Sequence, residues 1–188
     1  MSALGGLSAV RAASLPRLSV VAHSYGTTTA TVALSQPGVR VDTFVTLGSA
    51  GLPDSVRSVG DLNAGAVYSG HARDKFPGER ESGDQWAWVG RDSSRDHRVN
   101  PMAPEFGAKT FGVETGGDAG RIVTEIHSPL MSDDGAEEGY LDRQTESLAN
   151  TARAVSGETG SMTPYAPLGP TNVQKGLQEG MRRGAFVG

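Results

Sequence analysis

The sequence predicts an α/β fold with a parallel sheet of about four strands and flanking helices. Short runs of β-branched and apolar residues recur between residues 18 and 126, and helical or loop-like segments separate them. Parallel strands need a long crossover connection, which is usually a helix, so this alternation is typical of a parallel sheet. The 188 residues fit one domain, and they contain no evident internal repeat.

The predicted strands are bounded by turn signals. The first, LSVVA, is a short apolar run, and the second places Val41, Val45 and Leu47 on one face. The four strands are residues 18–22, 41–47, 65–70 and 121–126. Residues 76–110 are rich in Gly, Asp, Pro and Arg and predict a long loop.

Helices are predicted for four segments. They are residues 3–13, 25–35, 142–155 and about 171–182. Pro16 ends the first helix. In the second, Val32 and Ala33 can share a buried face, and in the third Leu148 and Val155 can do so.

Composition excludes several classes of function. The formal net charge of −4 argues against nucleic-acid binding, which needs a basic patch. No apolar run approaches the roughly 20 residues that span a bilayer, and the N-terminal residues make a poor signal peptide, so a cytoplasmic location is favoured. Cysteine is absent, which excludes disulfides, thiolate catalysis and cysteine-based zinc sites.

The segment LSVVAHSYGTTTATVAL, residues 18–34, places Ser24 where a strand pattern changes to a helix pattern. A serine on such a turn has an exposed hydroxyl and is typical of a nucleophile elbow. Small residues are expected two positions to either side, because the strand and helix backbones approach each other there, and Ala22 and Gly26 meet this requirement. The backbone N–H of Tyr25 is then the expected donor to an oxyanion.

A histidine base and a carboxylate are expected downstream, in the order serine, acid, histidine. His127 follows the predicted fourth strand, whereas His97 lies in a polar loop and is the next candidate. Asp74 lies four residues past the third strand and is the preferred acid. Three aspartates of the next loop remain alternatives. They are Asp84, Asp92 and Asp96.

Two residues are candidates for substrate binding. His23 adjoins Ser24, and Trp86 lies with Trp88 in the long loop, which could cover the site or simply pack on the body of the protein. No metal site is predicted, because the acidic segment 132–140 lacks the ligand spacing of a calcium loop. No cofactor is expected, and the expected partner is a small-molecule or acyl substrate.

Five segments together resemble the alpha/beta-hydrolase superfamily, and more narrowly an actinobacterial-type branch of uncharacterised members. They are VVAHSYGTTTA, VDTFVTLGSAGL, VYSGHARDK, NPMAPEFGAKTFG and EIHSPLM. The resemblance implies Ser24 as nucleophile, Asp74 as acid and His127 as base. It also implies hydrolysis of an ester or related acyl bond through an acyl-enzyme, without a cofactor.

The resemblance covers only part of that fold. Such hydrolases have about eight strands, with the elbow after the fifth and a second oxyanion donor on an earlier loop. Residues 1–157 are therefore expected to form the C-terminal portion of a hydrolase domain that lacks its N-terminal strands, and residues 158–188 a Gly/Pro-rich tail with a short helix. A missing N-terminal half or self-association is the expected partner of the first strand.

A second hypothesis is a truncated, non-catalytic interaction or structural remnant of the same fold. The lack of a recognisable second oxyanion donor favours it for the isolated chain, which is then expected to be poorly active. The retained order of Ser24, Asp74 and His127 favours the enzyme.

Overall fold

The computed structural model describes residues 17–114, 124–132 and 135–183. Four strands form one sheet in the order β1-β2-β3-β4, and all three neighbouring pairs are parallel. The strands are β1 (Ser19–His23), β2 (Val41–Leu47), β3 (Ala64–Gly70) and β4 (Lys109–Phe111). The predicted α/β class is confirmed, and the parallel sheet with its flanking helices is consistent with the partial alpha/beta-hydrolase fold that the sequence predicts.

The register brings the carboxyl ends of the first three strands to one edge of the sheet. His23 pairs with Leu47, and Leu47 pairs with Gly70. An open parallel sheet gathers its functional groups at this edge, because the loops that leave the strands meet there. Residues that directly follow His23 and Gly70 are therefore close together.

The fourth strand is not where the sequence predicts it. Residues 121–123 lie outside the described residues, and residues 124–126 are not a strand. Lys109–Phe111 fills this place instead, with Gly70 opposite Phe111. A Cβ on Gly70 would lie 2.5 Å from the Phe111 ring, so the absence of a side chain at position 70 lets β4 approach.

Four helices flank the sheet or follow it. They are α1 (Tyr25–Leu34), α2 (Ala87–Asp92), α3 (Glu146–Ser156) and α4 (Asn172–Arg182). Three of these match predicted helices, and α2 lies within the segment for which the sequence predicts a loop. The predicted helix at 3–13 lies outside the described residues. In the described part of the chain no helix is both long and apolar enough to cross a bilayer.

The buried helix faces differ from the predicted apolar ones. In α1 Val32 is 50 % exposed, and the buried face consists of three threonines and one leucine. In α3 the buried positions include Asn150, whereas Leu148 and Val155 are only partly buried. Two of the three buried threonines of α1 have hydrogen-bond partners, since Thr27 Oγ1 donates to the Ser24 carbonyl at 2.7 Å and Thr28 Oγ1 to the Gly51 carbonyl at 2.6 Å. Thr31 Oγ1 is buried without such a partner among the described residues.

Two apolar clusters lie on the two faces of the sheet. Phe44 packs with Leu34 of α1, and its neighbour Val45 packs with Ala154 of α3. Successive strand side chains point to opposite faces, so one strand contributes to both clusters. The sheet is thus held between α1 and α3, and its carboxyl edge is left for the loops.

The segment that follows α3 contacts the body of the protein near residues 73–81. Arg73 Nη1 donates to the Gly169 carbonyl at 2.7 Å, and Gln174 Nε2 donates to the Asp74 carbonyl at 2.8 Å. Its division from residues 1–157 as a separate tail stays a prediction. So does the added partner for β1, which pairs only with β2 among the described strands and has Val21 40 % exposed.

Candidate active site

Ser24 occupies a strained turn between β1 and α1. Its φ of 53° and ψ of −133° are unusual for a residue with a side chain, and such conformations cost about 1–3 kcal/mol. The Ser24 N–H donates to the Leu47 carbonyl at 3.0 Å, and Thr27 Oγ1 donates to the Ser24 carbonyl at 2.7 Å. These bonds hold the turn from both sides, and the predicted sharp strand-to-helix turn is confirmed.

The steric requirement predicted at Gly26 is wrong. A Cβ built on Gly26 meets no atom within 4 Å, and the residue is exposed. Close packing beneath the elbow comes from Thr27, which is fully buried and whose Oγ1 lies 2.6 Å from Ser49 Oγ. Only Ala22, which is buried, lies in a confined position as expected.

His127 contacts Ser24 directly. Its Nε2 atom lies 2.7 Å from Ser24 Oγ, within the range for proton transfer. The loop that carries His127 is tied to two other segments, since Gly83 N–H donates to the Glu125 carbonyl and Glu125 N–H to the Glu138 carbonyl. The pairing of Ser24 with His127 that the sequence predicts is therefore present.

The carboxylate against His127 belongs to Asp84, not to Asp74. His127 Nδ1 lies 2.8 Å from each oxygen of Asp84. Asp74 instead accepts from His71 Nε2 at 2.7 Å, and its side chain is 46 % exposed. The preferred assignment from chain order is thus corrected to one of its three alternatives.

A backbone pairing explains why Asp84 can take the position that the sequence analysis assigns to Asp74. Asp74 and Asp84 form an isolated parallel bridge, in which Lys75 N–H donates to the Asp84 carbonyl and Asp84 N–H to the Arg73 carbonyl. The chain leaves β3, turns through residues 75–83 and returns beside its own start. Both aspartates therefore lie near the carboxyl end of β3, but it is Asp84 that contacts His127.

Asp84 is fully buried and its oxygens are well supplied with donors. Oδ1 accepts from the N–H groups of Trp86 and Ala87, each at 2.9 Å, and Oδ2 accepts from the Tyr140 hydroxyl at 2.9 Å. Burial by itself raises the pKa of this carboxyl, but the hydrogen bond from His127 and the neighbouring His71 outweigh it and lower the pKa to about 2. Asp84 is therefore an anion at neutral pH.

His23 contacts His127 rather than lining the pocket beside it. Its Nε2 lies 2.5 Å from the His127 carbonyl oxygen, and its ring packs against the rings of His127 and Tyr140, with centroids 4.8 and 5.5 Å apart. Burial, followed by the proximity of His127, lowers the pKa of His23. A neutral His23 then donates its Nε2–H to that carbonyl, and its contact with substrate stays a prediction.

Trp86 lies beside His127. A pocket of about 270 Å³ is lined by Gln85, Trp86, Ile126, His127 and Ser128, and the Trp86 side chain is 50 % exposed. Trp88, by contrast, donates Nε1–H to the Lys75 carbonyl at 2.9 Å and packs edge-on against Phe76. Its role is packing, whereas the substrate contact of Trp86 stays a prediction.

Tyr25 is the first residue of α1, so its N–H has no acceptor within the helix. It directly follows Ser24, and its exposed ring packs edge-on against His97 at 5.4 Å. His97 itself, the alternative base, hydrogen-bonds through Nδ1 to the Ala50 carbonyl at 3.0 Å. The role of the Tyr25 N–H as an oxyanion donor stays a prediction.

The remaining acid candidates pair locally. Asp92 lies 3.5 Å from Arg91, and Asp96 accepts from Ser94 Oγ at 3.3 Å. A larger cavity, of about 460 Å³, lies between α4 and residues 73–76, and neither Ser24 nor His127 lines it. No group of three His, Asp or Glu side chains suited to a metal ion occurs among the described residues.

Tyr140 is a part of the site that the sequence analysis does not find. It is fully buried, accepts from the Ala72 N–H at 3.0 Å and donates to Asp84. No local pattern marks it. Asp84 lies two residues before Trp86, the N-cap of α2, in a segment for which the sequence predicts a loop, so no local pattern favours it over the other aspartates there.

Comparison with known proteins gives one match. A family model described as alpha/beta hydrolase matches residues 2–76, which is less than half of the chain and ends before Asp84 and His127. No curated protein and no solved structure matches the chain. The match supports the alpha/beta-hydrolase superfamily and a hydrolase activity in general.

Proposed function

We propose that this protein is a serine hydrolase that cleaves an ester or related acyl bond, with Ser24 as nucleophile, His127 as base and Asp84 as acid. The observation that supports it is the unbroken hydrogen-bonded chain from Ser24 Oγ through both nitrogens of His127 to the buried Asp84 carboxylate. A strained serine on a strand-to-helix turn adds to this, because strain of that kind is concentrated at functional sites.

The first half of the reaction acylates the serine. His127 Nε2 takes the hydroxyl proton as Ser24 Oγ attacks the carbonyl carbon, and the carbonyl oxygen becomes an oxyanion. When the carbonyl re-forms, His127 returns the proton to the departing oxygen, and the acyl group stays on Oγ. In the second half, water takes the place of the serine hydroxyl and releases the acid.

Asp84 fixes the tautomer of the base. Its carboxylate accepts the Nδ1 proton of His127, so the lone pair of Nε2 faces Ser24, and its charge stabilises the imidazolium that forms. The bond from His23 to the His127 carbonyl restrains the same residue from its backbone side. Two different contacts thus orient the ring that must move the proton.

The backbone N–H of Tyr25 is the proposed oxyanion donor. It lies at the N-terminus of α1, where the amides carry partial positive charge, and it adjoins the nucleophile. In hydrolases of this kind the loss of one such donor costs about 2.7–4 kcal/mol of transition-state stabilisation. We place the carbonyl oxygen of the substrate on this side of Ser24, away from His127.

A fluorophosphonate probe tests the proposal. The protein should be labelled once, at Ser24, as read by intact mass and peptide mapping, and it should hydrolyse a short aryl ester. Ser24→Ala should abolish both signals, and His127→Ala should lower the labelling rate by orders of magnitude without loss of fold by circular dichroism. Labelling that is absent, or that is unchanged in Ser24→Ala, would leave the non-catalytic remnant as the better account.

A further inference from the structure

Neutral side chains predominate in the lining of the pocket beside His127. Its five lining residues among those described include one ionisable side chain, that of His127 itself. Gln85 and Ser128 supply neutral polar groups, and Trp86 and Ile126 supply apolar surface. Half of the large Trp86 side chain is exposed here, which leaves apolar area available to a ligand.

The chemistry of the proposed function decides which part of a substrate this pocket receives. The oxygen of the leaving group must take its proton from His127 Nε2, so it must lie within about 3 Å of that atom. The pocket is formed by His127, by its two chain neighbours Ile126 and Ser128, and by Trp86. In the proposed mechanism the acyl carbonyl is placed toward the Tyr25 N–H, and Tyr25 does not line this pocket.

Charge restricts the leaving group. A cationic alcohol would need a carboxylate to compensate its desolvation, and an anionic one would need a cation. Asp84, the carboxylate that contacts His127, is fully buried and accepts hydrogen bonds on both oxygens, and none of the described lining residues is acidic. Gln85 and Ser128 can hydrogen-bond but cannot neutralise a charge. A neutral leaving group is therefore favoured.

The size and shape of the pocket further restrict the leaving group. The pocket volume of about 270 Å³ is large enough to receive one aromatic ring. An exposed indole attracts another aromatic ring through offset or edge-on packing, beyond the gain from burial alone. Resting on the proposed function, we infer that this pocket is the leaving-group site and that Trp86 selects esters of a neutral aromatic alcohol such as benzyl alcohol.

The bond changes follow from the same geometry. As the tetrahedral intermediate collapses, the bond between the carbonyl carbon and the alcohol oxygen breaks, and both its electrons go to that oxygen. His127 Nε2–H donates its proton there, so a neutral alcohol leaves through the pocket. The acyl group remains bound to Ser24, and every ester of one acid gives the same acyl-enzyme.

The test therefore fixes the acyl group and varies the alcohol. Butanoate esters of benzyl alcohol, methanol and choline are compared by kcat/KM, which reports acylation, the step that contains the alcohol. Trp86→Ala should lower the ratio of the benzyl to the methyl ester about tenfold, and Trp86→Phe should keep most of it. Trp88→Phe, at a tryptophan of α2 that lies outside the pocket, should leave the ratio unchanged.

A second variant covers the case in which Trp86→Ala fails to fold. Gln85→Glu keeps the size of the side chain and adds a carboxylate to the pocket lining, so it should raise the ratio of the choline to the benzyl ester several-fold. Equal ratios in all variants, with hydrolysis still dependent on Ser24, would overturn the leaving-group assignment and leave the hydrolase standing. No ester hydrolysis and no labelling of Ser24 would instead overturn the proposed function itself.

Discussion

Replacing Asp84 by asparagine removes one charge from the site while it keeps the shape of the side chain. The carbonyl oxygen of the new amide can still accept from the N–H groups of Trp86 and Ala87. Its NH₂ group then faces the Tyr140 hydroxyl and His127 Nδ1, which are both donors to the native carboxylate. One way to relieve this conflict is for His127 to carry its proton on Nε2.

That tautomer cannot accept the proton of Ser24, so the rate should fall steeply. In Ser-His-Asp hydrolases the same change lowers kcat by about 10⁴, which corresponds to roughly 5.5 kcal/mol. The structure also gives a cost in stability. The pKa of about 2 for Asp84, against an ordinary 3.8, corresponds to roughly 2 kcal/mol. This contribution is fully present above pH 3.8 and is lost as the pH falls toward 2.

The matched control is Asp74→Asn. Asp74 lies on the paired backbone segment and also hydrogen-bonds a histidine, but it does not contact His127. The labelling rate with a fluorophosphonate and the urea midpoint are measured for both variants at neutral pH. Asp84→Asn should lose almost all labelling, and the labelling rate of Asp74→Asn should stay near that of the wild type. Equal losses in the two variants, or none in Asp84→Asn, would refute the assignment of the acid.

Three further outcomes are expected from unfolding measurements. Gly26→Ala should be neutral or raise the free energy of unfolding by up to about 1 kcal/mol, because a Cβ meets open space and alanine favours a helix; a loss of stability would contradict this. Asn150→Leu should lower that free energy by about 1–3 kcal/mol, since the buried Gly112 carbonyl loses its donor at 2.7 Å; an unchanged urea midpoint would argue against it. Burial lowers the pKa of His71, but the hydrogen bond to Asp74 together with the charges of Asp84 and Asp74 more than offsets this, so the pKa is raised above 6.5 and stability should fall as the pH rises through it. Asp74→Asn should remove most of that pH dependence, and an identical pH profile in the variant would count against the pair.

Local patterns are sufficient to predict the first three strands of the sheet and the elbow. The strands at 18–22, 41–47 and 65–70 are short apolar or alternating runs, and the observed strands match them within one residue at either end. The turn at Ser24 is predictable because a strand pattern passes directly into a helix pattern there. These features depend on neighbours in the chain, which a single sequence displays.

Features that depend on tertiary contacts escape such patterns. β4 has only three residues, two of them exposed, so no periodic pattern marks Lys109–Phe111 as a strand. Apolar side chains define the predicted helix faces, yet Asn150 is fully buried because it donates to the Gly112 carbonyl and to Thr163 Oγ1. A polar residue is buried where partners meet it, and the sequence does not show which partners are near.

The carboxylate that contacts His127 is another feature that local sequence patterns do not identify, and its contacts account for the layout of the site. Asp74 and Asp84 are both compatible with a position after β3, and only the bridge between them places Asp84 against the base. Asp84 Oδ1 contacts His127 Nδ1 and also accepts from the backbone of Trp86 and Ala87, at the start of α2. One buried carboxylate therefore orients the base and fixes the chain that presents the Trp86 side chain. Because these two contacts share one group, Asp84→Ala, which removes the acceptor for both, should alter the rate and the preference for the alcohol. Asp84→Asn, which keeps the acceptor for the Trp86 and Ala87 N–H groups, should lower the rate and leave the preference near that of the wild type.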